Sequence, residues 1–162
     1  MKVLSVLLFA PAIVWAQSED ELSTARAHIF AQLTIVHPVA SRMRLGTSLR
    51  VCQHKEMAEA VEPTQDEMNT AAGESVANLV SGSGPAARIL KQMPLNKKAE
   101  MAVTVVAEVN VYRIGYTNAM EMWVRSDPSI CKSFLDSGTK FVARQFLNDR
   151  SQRRVSPPIT VR

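Results

Sequence analysis

Three groups of side chains in this 162-residue chain have types and spacings suited to chemistry. Met120-x-Met122 beside Trp123 sets two thioethers next to an indole, and His54 stands two residues after Cys52. Soft sulfur ligands select Cu(I). On a helix, however, positions 120 and 122 point about 200° apart and cannot share one ion, so these methionines are read as core filler. His28 and His37 stand nine residues apart with no ligand spacing around them. No metal site and no cofactor is expected.

The second group is Glu56, Glu59 and Glu62, which fall on one side of a helix. Paired carboxylates from different helices would suit glycoside hydrolysis, but a row on one helix reads as a solvated face. There is no Gly-x-Ser-x-Gly elbow, no His-Glu-x-x-His zinc helix, and no Ser-x-x-Lys pair accompanied by the other penicilloyl-enzyme motifs. No catalytic residue is assigned. The glycines of Ser81-Gly82-Ser83-Gly84-Pro85 lack P-loop spacing and read as a connection. The third group is basic: Lys97-Lys98 at the start of a helix, and Arg150, Arg153 and Arg154 near the end. These three arginines are the candidate partner-binding residues, suited to an acidic partner or another anionic surface. With 19 Lys and Arg against 15 Asp and Glu, the charge excess is too small for a nucleic-acid face.

The N-terminus carries an export pattern. Met1-Lys2 supplies a charge, Val3 to Trp15 is apolar apart from Ser5, and Val14-Trp15-Ala16 places small or medium residues, Val14 and Ala16, at the two positions a signal peptidase inspects. Residues 1–16 are read as a cleavable signal peptide. The apolar run ends before Glu19-Asp20-Glu21, short of the about 20 residues of a membrane span. In an oxidising compartment the two cysteines, Cys52 and Cys131, would pair, and closing so long a loop contributes about 4 kcal/mol in the chain-entropy model. No Asn-x-Ser/Thr sequon is present, which favours a periplasmic or bacterial secreted protein.

The elements that would position these groups read as helices. Ser18 with Glu21 forms a capping box ahead of Leu22, Ala25, Ile29, Leu33 and Val36, and Pro38 stops that helix. Residues 39–46 are mixed, and Leu49, Cys52, Met57, Ala60 and Val61 suggest a helix over 48–61. Thr64 with Glu67 opens a third helix, and a short one spans 86–92. Over 96–125, Ala102, Val105, Val106, Val109, Tyr112, Tyr116, Met120 and Trp123 form a helical stripe, with Asn96 as cap. Val103, Val105, Ala107, Val109 and Val111 also alternate like a strand, but the stripe continues to Trp123 and no partner strand exists. Asp127-Pro128 opens a last helix to Asn148 that buries Ile130, Phe134, Leu135, Phe141, Val142 and Phe146.

The chain therefore reads as an all-α single-domain bundle of about five helices over 17–148, followed by a basic flexible tail over 149–162. The expected function is an exported binding protein whose partner is another envelope or secreted protein: an inhibitor, an immunity partner or an accessory subunit. The alternatives are a cell-wall or glycan hydrolase, marked by a cleft carboxyl of raised pKa, and a small-ligand or metal carrier, marked by a closed apolar cavity. A binding module would instead expose an apolar patch. Intact mass spectrometry of the exported, unreduced chain is expected to show Gln17 as its first residue and a mass short of the two hydrogens lost in one disulfide.

Overall fold

A computed structural model of the chain describes residues 10–155, with side chains from 19 to 148. The described residues are helical and contain no strand, in keeping with the all-α expectation. In chain order the helices are α1 (Ala10–Ala31), continued by a π-helical turn (Gln32–Val36), α2 (Pro38–Val51), α3 (Lys55–Val61), α4 (Gln65–Ser81), α5 (Pro85–Gln92), α6 (Leu95–Ser126) and α7 (Ile130–Val155). They are more numerous than the sequence pattern suggests. Their packing gathers into two compact units, one built from the described residues up to Ala40 with Thr64–Val111, the other from Ser41–Pro63 with the residues from Tyr112 on.

In the first unit, α1 packs on α4 and α5, and α4 on α5. Ala25, Ile29 and Leu33 are fully buried, as are Ala72, Leu90, Val105 and Val109, with Met68, Ala71, Val76, Ala87 and Val106 nearly so. The many alanines let helix axes approach closely, and each large aliphatic side chain buried contributes about 1.5–3 kcal/mol. The capping box at α4 is complete: Glu67 N–H donates to Thr64 Oγ1 (3.2 Å), and Thr64 N–H donates to Glu67 Oε2 (2.7 Å). Two expectations for α1 change. The helix is already formed at Ala10, so the backbone of Ser18 lies inside it and not at its start. Val36 is exposed, because the chain closes a wider turn, with His37 N–H donating to Gln32 O (2.8 Å), and the extra residue carries Val36 off the buried stripe.

Pro38 both ends and begins. His37 is pushed to the extended region (ψ 146°), as a residue before proline must be, and Pro38 then takes the first position of α2, where its missing N–H costs nothing. His37 Nδ1 accepts from Val39 N–H at 3.3 Å and its carbonyl accepts from Ala40 N–H at 2.9 Å. Residues 39–46, read as mixed, are consequently helical.

The second unit is organised around a corner between α2 and α3. The helix expected over 48–61 is broken at Cys52–His54, where His54 N–H donates to Leu49 O (2.9 Å) and Gln53 N–H to Arg50 O (3.1 Å). This pair of bonds, with Gln53 left-handed at φ 65°, is a Schellman stop. Gln53 occupies the position where glycine is usual, which is why the break is hidden in the sequence. Cys52, at the corner, bonds Cys131 at the start of α7, with Cα atoms 5.5 Å apart. Leu49, Ala58 and Val61 are fully buried beneath Leu45, Met57, Phe134, Phe141 and Val142. Gly138 brings α7 close: a Cβ there would lie 2.9 Å from Leu49 Cδ1 and 3.0 Å from Met57 Cγ.

Residues 95–126 are one helix, with Val105, Val106 and Val109 buried at helical spacing while Val103 and Val111 face solvent. That helix starts at Leu95, with Pro94 O accepting from Lys97 and Lys98 N–H, so Asn96 is not its cap. Asp127 closes a turn just ahead of α7, which starts at Ile130 and not at Pro128 as expected: Oδ1 accepts from Ser129 N–H (3.0 Å) and from the Ser129 hydroxyl (2.6 Å), which holds the Asp127 carboxyl below its ordinary pKa. Met122 (68% exposed) and Phe146 (62%) lie outside the core expected of them, and Trp123 (64%) is exposed although it falls on the apolar stripe of α6. In α7 the helix passes Asn148 and runs to Val155, since no proline intervenes before Pro157; residues 156–162 and the side chains of the basic segment lie outside the described residues.

Relieving the left-handed glutamine is expected to help. An L-residue there costs about 1–2 kcal/mol, partly offset by the greater unfolded-state freedom of glycine. Gln53→Gly should therefore raise unfolding stability by about 0.5–1 kcal/mol, measured as an upward shift of the urea midpoint at unchanged slope.

Candidate functional site

A groove of about 570 Å³ opens on the second unit. One wall is the distal half of α6, where Arg113, Thr117, Glu121 and Val124 recur on one helical side, with Ile114 and Arg125 at its margin; the other is the end of α2 with Thr47, Arg50 and Val51, the corner residue Gln53, and Glu62 after α3. Three guanidinium groups and two carboxylates thus share it.

The wall formed by Arg50 and Glu62 is braced by charge. Arg50 Nε and an Arg50 terminal nitrogen donate to the two Glu62 oxygens at 3.2 and 2.7 Å, a two-pronged pairing that a planar guanidinium makes and an ammonium cannot. The hydrogen bonding of the guanidinium to Glu62 is the main reason the Arg50 pKa rises above its ordinary value. Glu62 is 15% exposed, so the pair is partly desolvated and stronger than a rim pair. Arg42 reinforces it from behind: its Nε donates to Val61 O (3.0 Å), closing the end of α3, while its guanidinium stands 5.7 Å from the centre of the Phe141 ring. Gly46 makes room for this arrangement, since a Cβ would overlap Glu62 Cγ and lie 3.3 Å from Glu62 Cα.

Along the same half of α6, Tyr112, Tyr116 and Trp123 share a second face. The two tyrosine rings stack at 6.5 Å, and the Tyr116 hydroxyl lies 3.3 Å from Ser48 Oγ, which itself donates to Arg44 O (2.8 Å). Trp123 is largely solvent-exposed, as are Ile114 and Met122.

The candidates read from sequence are dispersed. Cys52 and Cys131 come together, as their pairing requires. Met120 is buried (1%) and Met122 exposed (68%), on opposite sides of α6 as helical geometry dictates. Glu56 and Glu59 face solvent, whereas Glu62 turns to Arg50. His37 Nε2 lies 3.3 Å from Glu74 Oε2, and His28 is exposed. Among the described residues no three His, Cys, Asp or Glu side chains gather as a metal-holding group. Lys97 pairs with Glu100 at 2.7 Å. Arg150, Arg153 and Arg154 have their backbone in α7, with side chains outside those described. Sequence reading missed the groove and its arginines Arg50 and Arg113. The only signal is two arginines on neighbouring helices, and spacing cannot show that they face one space.

Among the described residues no helix is long and apolar enough to cross a membrane. Comparison with known proteins finds no matching family model, no similar curated protein and no similar solved structure.

Gly46→Ala separates two opposed effects. Helix propensity alone would favour alanine by about 1 kcal/mol, whereas the overlap with Glu62 must push apart the pair with Arg50. A net loss of about 1–2 kcal/mol is expected in urea unfolding, and Glu62→Gln, which keeps the volume but not the charge, should lose about 1 kcal/mol.

Proposed function

We propose that the chain is an exported helical binding protein whose partner is another secreted or envelope protein, and that the partner docks on the distal half of α6. The observation that carries this reading is Trp123, 64% exposed on the face it shares with the Tyr112–Tyr116 stack. Exposing a tryptophan costs hydrophobic free energy that a folded chain would otherwise recover. Tyrosine and tryptophan are also the side chains that dominate interface energetics, because they bury large rigid areas with few rotamers to freeze. Met122, 68% exposed, adjoins Trp123 on the same half of the helix, whereas Ile114, 62% exposed, lies on the opposite side, toward the groove.

Export is supported by the Met1-Lys2 charge, the apolar run to Ala16 and the Cys52–Cys131 bond, since disulfides persist where the surroundings are oxidising. The basic residues Arg150, Arg153 and Arg154 are assigned to steering, raising the rate of encounter with an acidic partner without fixing its pose.

The experiment is affinity capture from an envelope extract of the source organism with the oxidised chain, Trp123→Ala, and a chain truncated after Asn148. The native chain is expected to retain one dominant protein, and Trp123→Ala to weaken retention by about tenfold or more at unchanged helicity. Truncation should slow association and flatten its salt dependence. Equal retention by Trp123→Ala, or no retained protein, would overturn the reading.

A further inference from the structure

We infer that the groove beside Arg113 seats an acidic segment of the protein partner: one Asp or Glu side chain flanked by apolar residues. This rests on the reading of the chain as a binding protein and adds the chemistry of what is bound.

The charges in the groove are unequally matched. Arg50 is committed to Glu62 through two hydrogen bonds. Arg125 meets Glu121 only at 3.7 Å, with 80% of its side chain exposed, an arrangement that water and salt weaken readily. Arg113 is half-buried and forms no ion pair among the described residues. Both carboxylates are thus claimed by other cations. Among the described residues Arg113 is thus the one groove guanidinium that forms no ion pair.

The remaining lining selects among anions. Val51, Ile114 and Val124 give the groove apolar walls, so a ligand that is apolar on both sides of its charge buries area there. A polyanion would meet a different environment. Nucleic acids and anionic lipid surfaces require several uncompensated cations along one face, and Glu62 and Glu121 stand in the same groove and repel further negative charge. A single carboxylate answers the one guanidinium that forms no ion pair, whose planar fork accommodates its two oxygens.

The test uses the full oxidised chain and two fluorescein-labelled peptide pools, one with a single glutamate flanked by leucines and one identical but with glutamine, read by anisotropy. The glutamate pool is expected to bind about tenfold more tightly, the advantage shrinking with added salt. Arg113→Gln should abolish that preference and Arg113→Lys restore part of it, with helicity by circular dichroism unchanged in both. Arg125→Gln should leave most of it.

Equal affinity for the two pools, no binding of either, or a preference unmoved by Arg113→Gln would overturn the inference. So would Arg113-dependent binding to vesicles of anionic lipid that exceeds binding to the peptides. If Trp123-dependent capture persists while the pools bind equally, the groove assignment fails and the binding function stands; if capture also fails, the function itself falls.

Discussion

Without the Cys52–Cys131 bond, nothing covalent would hold the corner between α2 and α3 to the beginning of α7. The bond spans 79 residues of sequence, and in the chain-entropy model a closure of that length removes about 4–5 kcal/mol of unfolded-state freedom. Its position matters as much as its magnitude. Cys52 sits at the C-terminal stop of α2, so the bond anchors a backbone turn already fixed by the paired hydrogen bonds from Gln53 and His54. Everything described for the second unit is arranged around that corner: the buried trio Leu49, Ala58 and Val61, the close pass of Gly138, and the Arg42 hydrogen bond that closes α3.

The corner also explains how a polar groove survives beside a small core. A partly desolvated ion pair is costly unless its geometry is good and its remaining atoms are satisfied. Arg50 and Glu62 meet that condition with two hydrogen bonds, and Gly46 removes the one Cβ that would spoil it. With that wall settled, Arg113 and the apolar residues of α6 are left available to something outside the chain. The aromatic face carrying Trp123 has the same character: side chains suited to burial, placed where this chain does not bury them.

The fold was largely legible in advance where physical signals are local. The Thr64–Glu67 box needs only residues three apart, and both its hydrogen bonds form. The valines of α6 fit a strand as well as a helix by spacing alone, and the absence of any pairing strand decided for helix, since a lone strand leaves its backbone groups unsatisfied. The misreadings are also instructive. Ser18 and Asn96 have capping chemistry, yet the helices begin upstream of both, because a cap residue acts only where the preceding chain leaves the helix. Gln53 hid a stop that glycine would have announced. Trp123 fits the periodicity of a buried stripe, but periodicity specifies a direction around a helix, not how far along that helix a neighbour extends to cover it.

By itself the sequence determined that the chain is helical, that α4 begins after Thr64, and that only one cysteine pairing is possible, because capping chemistry and residue counts act over a few positions or by simple arithmetic. Tertiary structure alone decided that Glu62 turns to Arg50 instead of joining Glu56 and Glu59, that Trp123 is left exposed, and that Arg113 lines a groove while forming no ion pair among the described residues. Those are relations between groups far apart in the chain. Their energies depend on distance and solvent exposure in space, and neither quantity exists until the helices have packed.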